Sequence, residues 1–462
     1  MPDTSRNIER KYTMATESTG AAFTRRGFLG LGAAAAATAA LAACSSGSGT
    51  SSSSDDDVAK ALKKGGEITW WTWTPQAKKQ VAAFEKAYPK VKVNLRNVGS
   101  GGTEYTKLSN AIKAGSGAPD VAQIEYFALP QYVLAKSLVE LSDFGLDSLK
   151  NLYANGTWDS VNVNGGLYGL PQDYGPMAYF YNKTVYDKYD ITVPTTWDEF
   201  VAAAKKLHSA DSSLYLLNDA GDPGFTTSMI WQAGGHPFKV DGTTVTVDLQ
   251  DAGTKKWTST WNQLVEGKLL NQTTAWTDAW YAQLGNGQIA SVVTGSWMPG
   301  ILESSVAQAS GQWRVAPIPT YDGTKANAAN GGSSHAVLKQ GKNQLLAAGF
   351  LKWLCADTTS TRLFRESGGF PSTKSDLSAS AWLSDAPAYF GGQQINKVLA
   401  DAADTVLSGW QYLPYQQYAN SVYSDSMSAS YSNSTSLDPG LQAWQKAIVT
   451  YGNAQGFKVT GK

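Results

Sequence analysis

Between Glu67 and Ile124 the hydrophobic pattern switches back and forth between a period of two and one of about 3.6, and that alternation restricts the chain to folds in which helices pack on a largely parallel sheet. Glu67-Ile68-Thr69-Trp70-Trp71-Thr72-Trp73 is a β-rich run. Ala77, Val81, Phe84 and Tyr88 follow at helical spacing, and Pro89 stops the helix. Val91, Val93 and Leu95 then alternate with Lys92 and Asn94 as a second strand. A further helix carries Tyr105, Leu108, Ala111 and Ile112 and stops at Gly115, and residues 120–124 form a third strand. An α/β lobe is expected here. Beyond a Gly/Pro-rich passage at residues 164–176, a strand resumes at Met177, and Thr196 with Glu199 forms a capping box that opens a helix with Phe200, Val201, Ala204 and Leu207 on its inner face. Asp241-Gly242 predicts a hairpin turn, and the helix after it buries Trp257, Trp261, Leu264 and Val265 before ending at Gly267. A chain of 462 residues exceeds one ordinary core, so two domains are expected.

The N-terminal residues address the chain rather than fold it. Thr24-Arg25-Arg26-Gly27-Phe28-Leu29 is a twin-arginine export signal. The Ala-rich stretch behind it is shorter than the roughly 20 apolar residues that a membrane span needs, so residues 1–43 read as a signal peptide. Leu41-Ala42-Ala43-Cys44 resembles the lipobox of bacterial lipoproteins, which implies a lipid-modified Cys44 as the mature N-terminus on the outer face of the cell membrane; a chance cysteine behind an ordinary signal is the other reading. Residues 44–64, rich in Ser, Gly and Asp, are expected to be a tether, with the run from Ser45 to Asp57 flexible. A tether fixes location, and an enzyme acting on polymer would tolerate one equally well.

Removing residues 1–43 takes away five of 38 basic and three of 38 acidic residues, leaving 33 against 35. With neither a basic stripe nor a basic amphipathic helix, neither nucleic acid nor a membrane surface is implied as a partner. Behind the signal the arginines are Arg96, Arg314, Arg362 and Arg365, few for a ligand bearing phosphate or carboxylate, whereas 16 Trp and 22 Tyr suit the flat faces and hydroxyl rims of sugar rings. Most of those aromatics could equally be core. Cys355, in an apolar stretch, reads as an inert buried thiol without a disulfide partner. Catalytic arrangements are not found. His208, His236 and His335 lack metal-ligand spacing, no Gly-x-Ser-x-Gly elbow occurs, and residues 330–334 lack the lysine of a phosphate loop. Glu125, Asp173 and Asp222 follow strand-like runs, where open α/β sheets place ligands. They could bond sugar hydroxyls, or form the carboxylate pair of a lipid-anchored glycoside hydrolase, which is the alternative function.

Four stretches resemble the bacterial extracellular solute-binding proteins of the maltose-binding type: Ala118-Pro119-Asp120-Val121 with Leu138-Val139-Glu140-Leu141; Leu167-Tyr168-Gly169-Leu170-Pro171 leading to Tyr181-Asn182-Lys183; Pro194-Thr195-Thr196-Trp197-Asp198-Glu199-Phe200; and Asn286-Gly287-Gln288-Ile289-Ala290 running to Gly295-Ser296-Trp297. Trp313-Arg314-Val315-Ala316-Pro317-Ile318-Pro319, Gly331-Gly332-Ser333 and Gly369-Phe370-Pro371 match in the same order. The resemblance implies a two-lobed periplasmic-binding-protein fold, type II-like, with three crossings and a ligand cleft between the lobes. The crossings are expected near Pro171-Gln172, Pro319-Thr320 and Gly369-Phe370, so residues 65–172 and 320–369 form lobe one and residues 173–319 and 370–462 form lobe two. By the same resemblance the ligand contacts are Trp73, Thr74, Glu125, Tyr126, Asp173, Tyr174, Asp222, Trp231, Trp297, Gly332, Ser333, Trp410 and Tyr412. Implied is a monomeric substrate-binding component of an ABC sugar importer. It would bind a neutral di- or oligosaccharide and deliver it to the transmembrane permease subunits, with no catalysis, cofactor or metal.

Overall fold

The computed structural model describes residues 55–74 and 77–462, so the export signal, Cys44 and the first part of the tether lie outside the described residues. The rest of the tether is not a leash. Asp55–Lys64 is a helix, α1, with acidic residues in its first turn and lysines in its last, where the helix dipole favours each. Val58 is buried, and the Leu62 side chain packs so closely on the helix Gln344–Ala356 that a Cβ on Gly349 would lie 2.9 Å from it. The Asp run that resembled solvated linker is the first turn of an amphipathic helix.

The strand–helix–strand reading of lobe one holds. Strand β1 (Gly66–Trp71), helix α2 (Ala77–Ala87), strand β2 (Val91–Arg96), helix α3 (Gly102–Ala114) and strand β3 (Val121–Glu125) follow in order, and β1 pairs in parallel with β2 on one side and β3 on the other. Gly115 ends α3 in the left-handed conformation that glycine adopts without strain. The sheet is extended by Ser333–Val337, antiparallel to β3, and by the two-residue strand Leu170–Pro171. Trp70, Phe84 and Phe350 fill the core beneath it in edge-to-face contact.

Lobe two has its own core around the antiparallel sheet formed by Met177–Asn182 between Ser291–Gly295 and Trp313–Pro317. The capping box forms as read: the Thr196 hydroxyl accepts from the Glu199 amide while the Glu199 carboxylate takes the Thr196 amide. Trp257 and Trp261 are fully buried on the helix Ala252–Glu266, as their spacing predicts. In the hairpin Asp241 pairs with Thr244, so the turn falls on Gly242-Thr243, one residue later than the sequence signal. No helix among the described residues is long and apolar enough to cross a membrane.

The first crossing runs between Pro171, which pairs in the lobe-one sheet, and Met177, which opens the lobe-two sheet. Near the third, Phe370 is buried in the lobe-two core, whereas Thr373 bridges Tyr153 and the Ser372 carbonyl accepts from the Ala154 amide, both on lobe one. The second is displaced. Thr320 bridges Thr196, Ala328 accepts from the Met177 amide, and Ala328 and Ala329 are buried in the lobe-two core, so residues 320–329 belong to lobe two and the chain crosses at 330–332. A Pro-Thr turn resembles a crossing locally, but only buried surface decides which lobe owns the segment that follows.

Candidate functional site

The carboxyl end of β3 and the start of Ser333–Val337 lie side by side, because Ser333 pairs with Glu125 and the Tyr126 amide donates to the Gly332 carbonyl. That edge of lobe one faces the lobe-two loops, where open α/β sheets place ligands. Between them is a cavity of about 510 Å³ lined by Glu125 and Phe127 from lobe one, the crossing residues 330–332, and lobe-two residues that include Asp222, Trp276, Trp280, Trp297 and Tyr412. Its size falls within the range of small-molecule sites.

One wall is aromatic. The rings of Trp276 and Trp280 lie 4.8 Å apart and those of Trp276 and Trp297 5.6 Å apart. Trp280 is buried and donates its Nε1–H to Asn218 Oδ1 at 2.6 Å, and Trp297 donates to the Asn330 carbonyl at 2.8 Å. Gly295 makes the second bond possible: a Cβ there would stand 2.3 Å from Trp297 Nε1 and 2.5 Å from the Asn330 oxygen. The glycine before Trp297 thus admits the crossing strand and the indole edge.

The other wall is acidic. Glu125 accepts from the Tyr105 hydroxyl at 2.9 Å, Asp222 caps the helix Pro223–Gln232 by accepting from the Phe225 amide at 2.7 Å, and Asp219 takes Trp261 Nε1–H and the Tyr431 hydroxyl, each at 2.8 Å. Burial pushes the Glu125 carboxyl up to about 7 against the Tyr105 bond that lowers it, and pushes Asp219 up to about 6. Among the described residues lining the cavity there is no lysine, arginine or histidine. Such a wall accepts hydrogen bonds from hydroxyls and repels anions.

Of the residues singled out from the sequence, the cavity gathers Glu125, Asp222, Trp297, Gly332 and Tyr412. Tyr126, Trp231, Trp410 and again Tyr412 line a second, smaller hollow of about 150 Å³ between the lobes, where Trp231 and Trp410 stack at 5.3 Å. The remainder serve the framework around the site. Trp73 packs edge-on against Tyr105, and the Thr74 hydroxyl bonds Gln123 while accepting from Gln172. Tyr174 is buried in the lobe-two core, and Asp173 accepts from the Ser333 amide, joining the first two crossings. Trp276, Trp280, Asn218 and Asp219 escaped sequence reading, and Asn330 entered it only as part of the Gly/Ser segment at residues 330–334. Asn218-Asp219 follows the apolar run at residues 214–217 as Glu125 follows the apolar residues of β3, a signal that was available; Trp276 carries none.

The family profile described as bacterial extracellular solute-binding protein matches residues 70–359. The lactose-binding protein of Rhizobium radiobacter is 25% identical over 73% of this chain and 82% of its own length. Among solved structures, the ABC-transporter-associated binding protein of B. animalis subsp. lactis Bl-04, in complex with beta-1,6-galactobiose, is 43% identical with a TM-score of 0.79, covering 85% of this chain and 99% of that one. The galacto-N-biose-/lacto-N-biose I-binding protein of Bifidobacterium longum, in complex with lacto-N-biose, is 26% identical with a TM-score of 0.75, covering 86% and 99%.

Proposed function

The chain belongs to the bacterial extracellular solute-binding protein family, and from that premise we propose that it is the substrate-binding component of an ABC sugar importer, taking a neutral disaccharide or short oligosaccharide into the interlobe cavity. The observation that carries this reading is the pairing, around one cavity between two lobes, of an indole wall with a wall of carboxyl and amide groups that, among the described residues, holds no cationic side chain. Indole faces cover the C–H faces of pyranose rings, and the carboxylates of Glu125 and Asp222 accept from their hydroxyls. The relatives solved with galactobiose and lacto-N-biose support a ligand of two or a few sugar units. The family consists of binding proteins, and the carboxyl groups offered for hydrolysis already hold structural bonds: Asp222 caps a helix and Asp173 ties the crossings together. We assign no catalysis, and we read Cys44 as the lipid anchor on the motif Leu41-Ala42-Ala43-Cys44.

A thermal-shift screen of the mature protein against galactose, lactose, β-1,6-galactobiose, lacto-N-biose and arabino-oligosaccharides tests the reading. A ligand that binds only the native state, at 100 times its Kd, adds about 2.7 kcal/mol, enough for a clear rise in melting temperature. The rise is expected with at least one disaccharide, unchanged between low and high salt because the ligand carries no charge to screen. Hydrolysis of the sugar during the titration would move the reading to the hydrolase.

A further inference from the structure

Trp276 is held in the left-handed backbone region, at φ 68°, where bulky residues are rarely found. The residue is 44% exposed, one of the exposed large hydrophobic residues among those described. Folding alone does not call for this combination, since the indole is only partly covered, by Trp280 and Trp297, and the backbone is strained. Yet the loop that imposes the strain is fastened from several sides. Asn218 Nδ2 donates to the Thr273 carbonyl at 3.2 Å, the Thr273 amide to Asn271 Oδ1 at 2.8 Å, Gln272 Nε2 to the Asp219 carbonyl at 3.2 Å, and the Thr277 hydroxyl to the Thr274 carbonyl at 2.8 Å. Strain that persists inside an over-determined loop beside a cavity marks a residue placed for a purpose.

Resting on the disaccharide reading above, we propose that Trp276 is the specificity-determining residue for ligand length: its indole covers the outer sugar unit, so that two-ring ligands are held and single rings are not. The three indoles are graded in depth. Trp280 is buried behind the wall, Trp297 is half-buried with its edge fixed to Asn330, and Trp276 stands outermost, inclined 44° to Trp297. A first ring seated against Trp297 meets the acidic wall of Glu125 and Asp222, which line the same cavity. A second ring, continuing outward, meets Trp276.

The test compares wild type, Trp276→Ala and Trp276→Gly in calorimetric titrations with β-1,6-galactobiose and, at millimolar concentrations, with galactose. Both variants should bind galactobiose about tenfold or more weakly, as anchoring aromatics do when truncated, while galactose affinity changes less than about twofold. The unliganded Gly variant should melt at or above the Ala variant, because glycine adopts positive φ without strain. Galactobiose affinity unchanged in both variants would overturn the proposal, and so would equal losses for both sugars, or a collapse of unliganded stability in both, which would make the ring structural. Wild type that binds no sugar of the panel would overturn the functional reading together with this one; wild-type binding with unaltered variants overturns this one alone.

Discussion

Glu104 stands in the first turn of α3 with its side chain fully buried and both carboxyl oxygens without a hydrogen-bond partner. Burial first, and the neighbouring Glu125 carboxyl second, raise it from its ordinary value of 4.5 to about 8. The folded chain therefore keeps a proton that the unfolded chain gives up near pH 4.5. Stability falls as pH rises from about 4.5 towards about 8, where the unfolded state binds fewer protons than the folded one, and the loss levels off above that value. Glu104→Gln, which stays neutral throughout, should remove this part of the slope and gain on wild type as pH rises. Denaturant melts of both proteins at pH 4.5, 6 and 8 measure the effect, and parallel profiles would show that Glu104 is relieved by water or a neighbour. At this same scale the sequence was least informative: Glu125 and Asp222 could be named because they follow apolar runs, but neither the orphaned carboxyl of Glu104 nor the strained backbone of Trp276 leaves a mark on residue order.

Elements were legible where their signals are local. The capping box of Thr196 and Glu199, the glycine after α3 and the alternation in β2 each act within a few residues, and each forms as read. What failed needed knowledge of a distant partner. Residues 320–329 join lobe two because Ala328 and Ala329 find its core, and α1 is a helix because Gln344–Ala356, almost 300 positions away, gives Val58 and Leu62 a surface to cover. Asp55 also pairs with Lys352 at 3.0 Å, an exposed contact that adds little by itself. Docking of α1 is therefore chiefly apolar, and Val58→Asp, which buries an unpaired charge, should cost several kcal/mol or release the helix. None of its residues lines either interlobe cavity, so sugar affinity should be unchanged while residues 55–64 become open to limited proteolysis. Protease resistance equal to wild type would contradict the docking.

At the scale of the whole molecule, the three crossings converge, and Asp173 is where they meet. Its carboxylate accepts from the Ser333 amide of the second crossing, its backbone bridges Pro371 of the third, and its carbonyl accepts from the Tyr126 hydroxyl at 2.7 Å. The Ser372 hydroxyl bonds the Pro171 carbonyl at 3.2 Å beside it. Asp173 does not line the main cavity, whereas Glu125 does. A residue acting only through the hinge changes the fraction of molecules competent to bind, and apparent Kd scales with that fraction whatever the ligand. Asp173→Ala, which leaves the Ser333 amide unpaired at a cost of about 1–3 kcal/mol of stability, should therefore alter the affinities for β-1,6-galactobiose and lacto-N-biose by one common factor. Glu125→Gln changes a group that lines the cavity and should alter them by different factors, since the two sugars present different hydroxyls to the acidic wall. Titrating both variants with both sugars separates a hinge from a contact. A change in the ratio of the two affinities for Asp173→Ala would place that carboxylate on the sugar, and the cavity would then extend through the crossings.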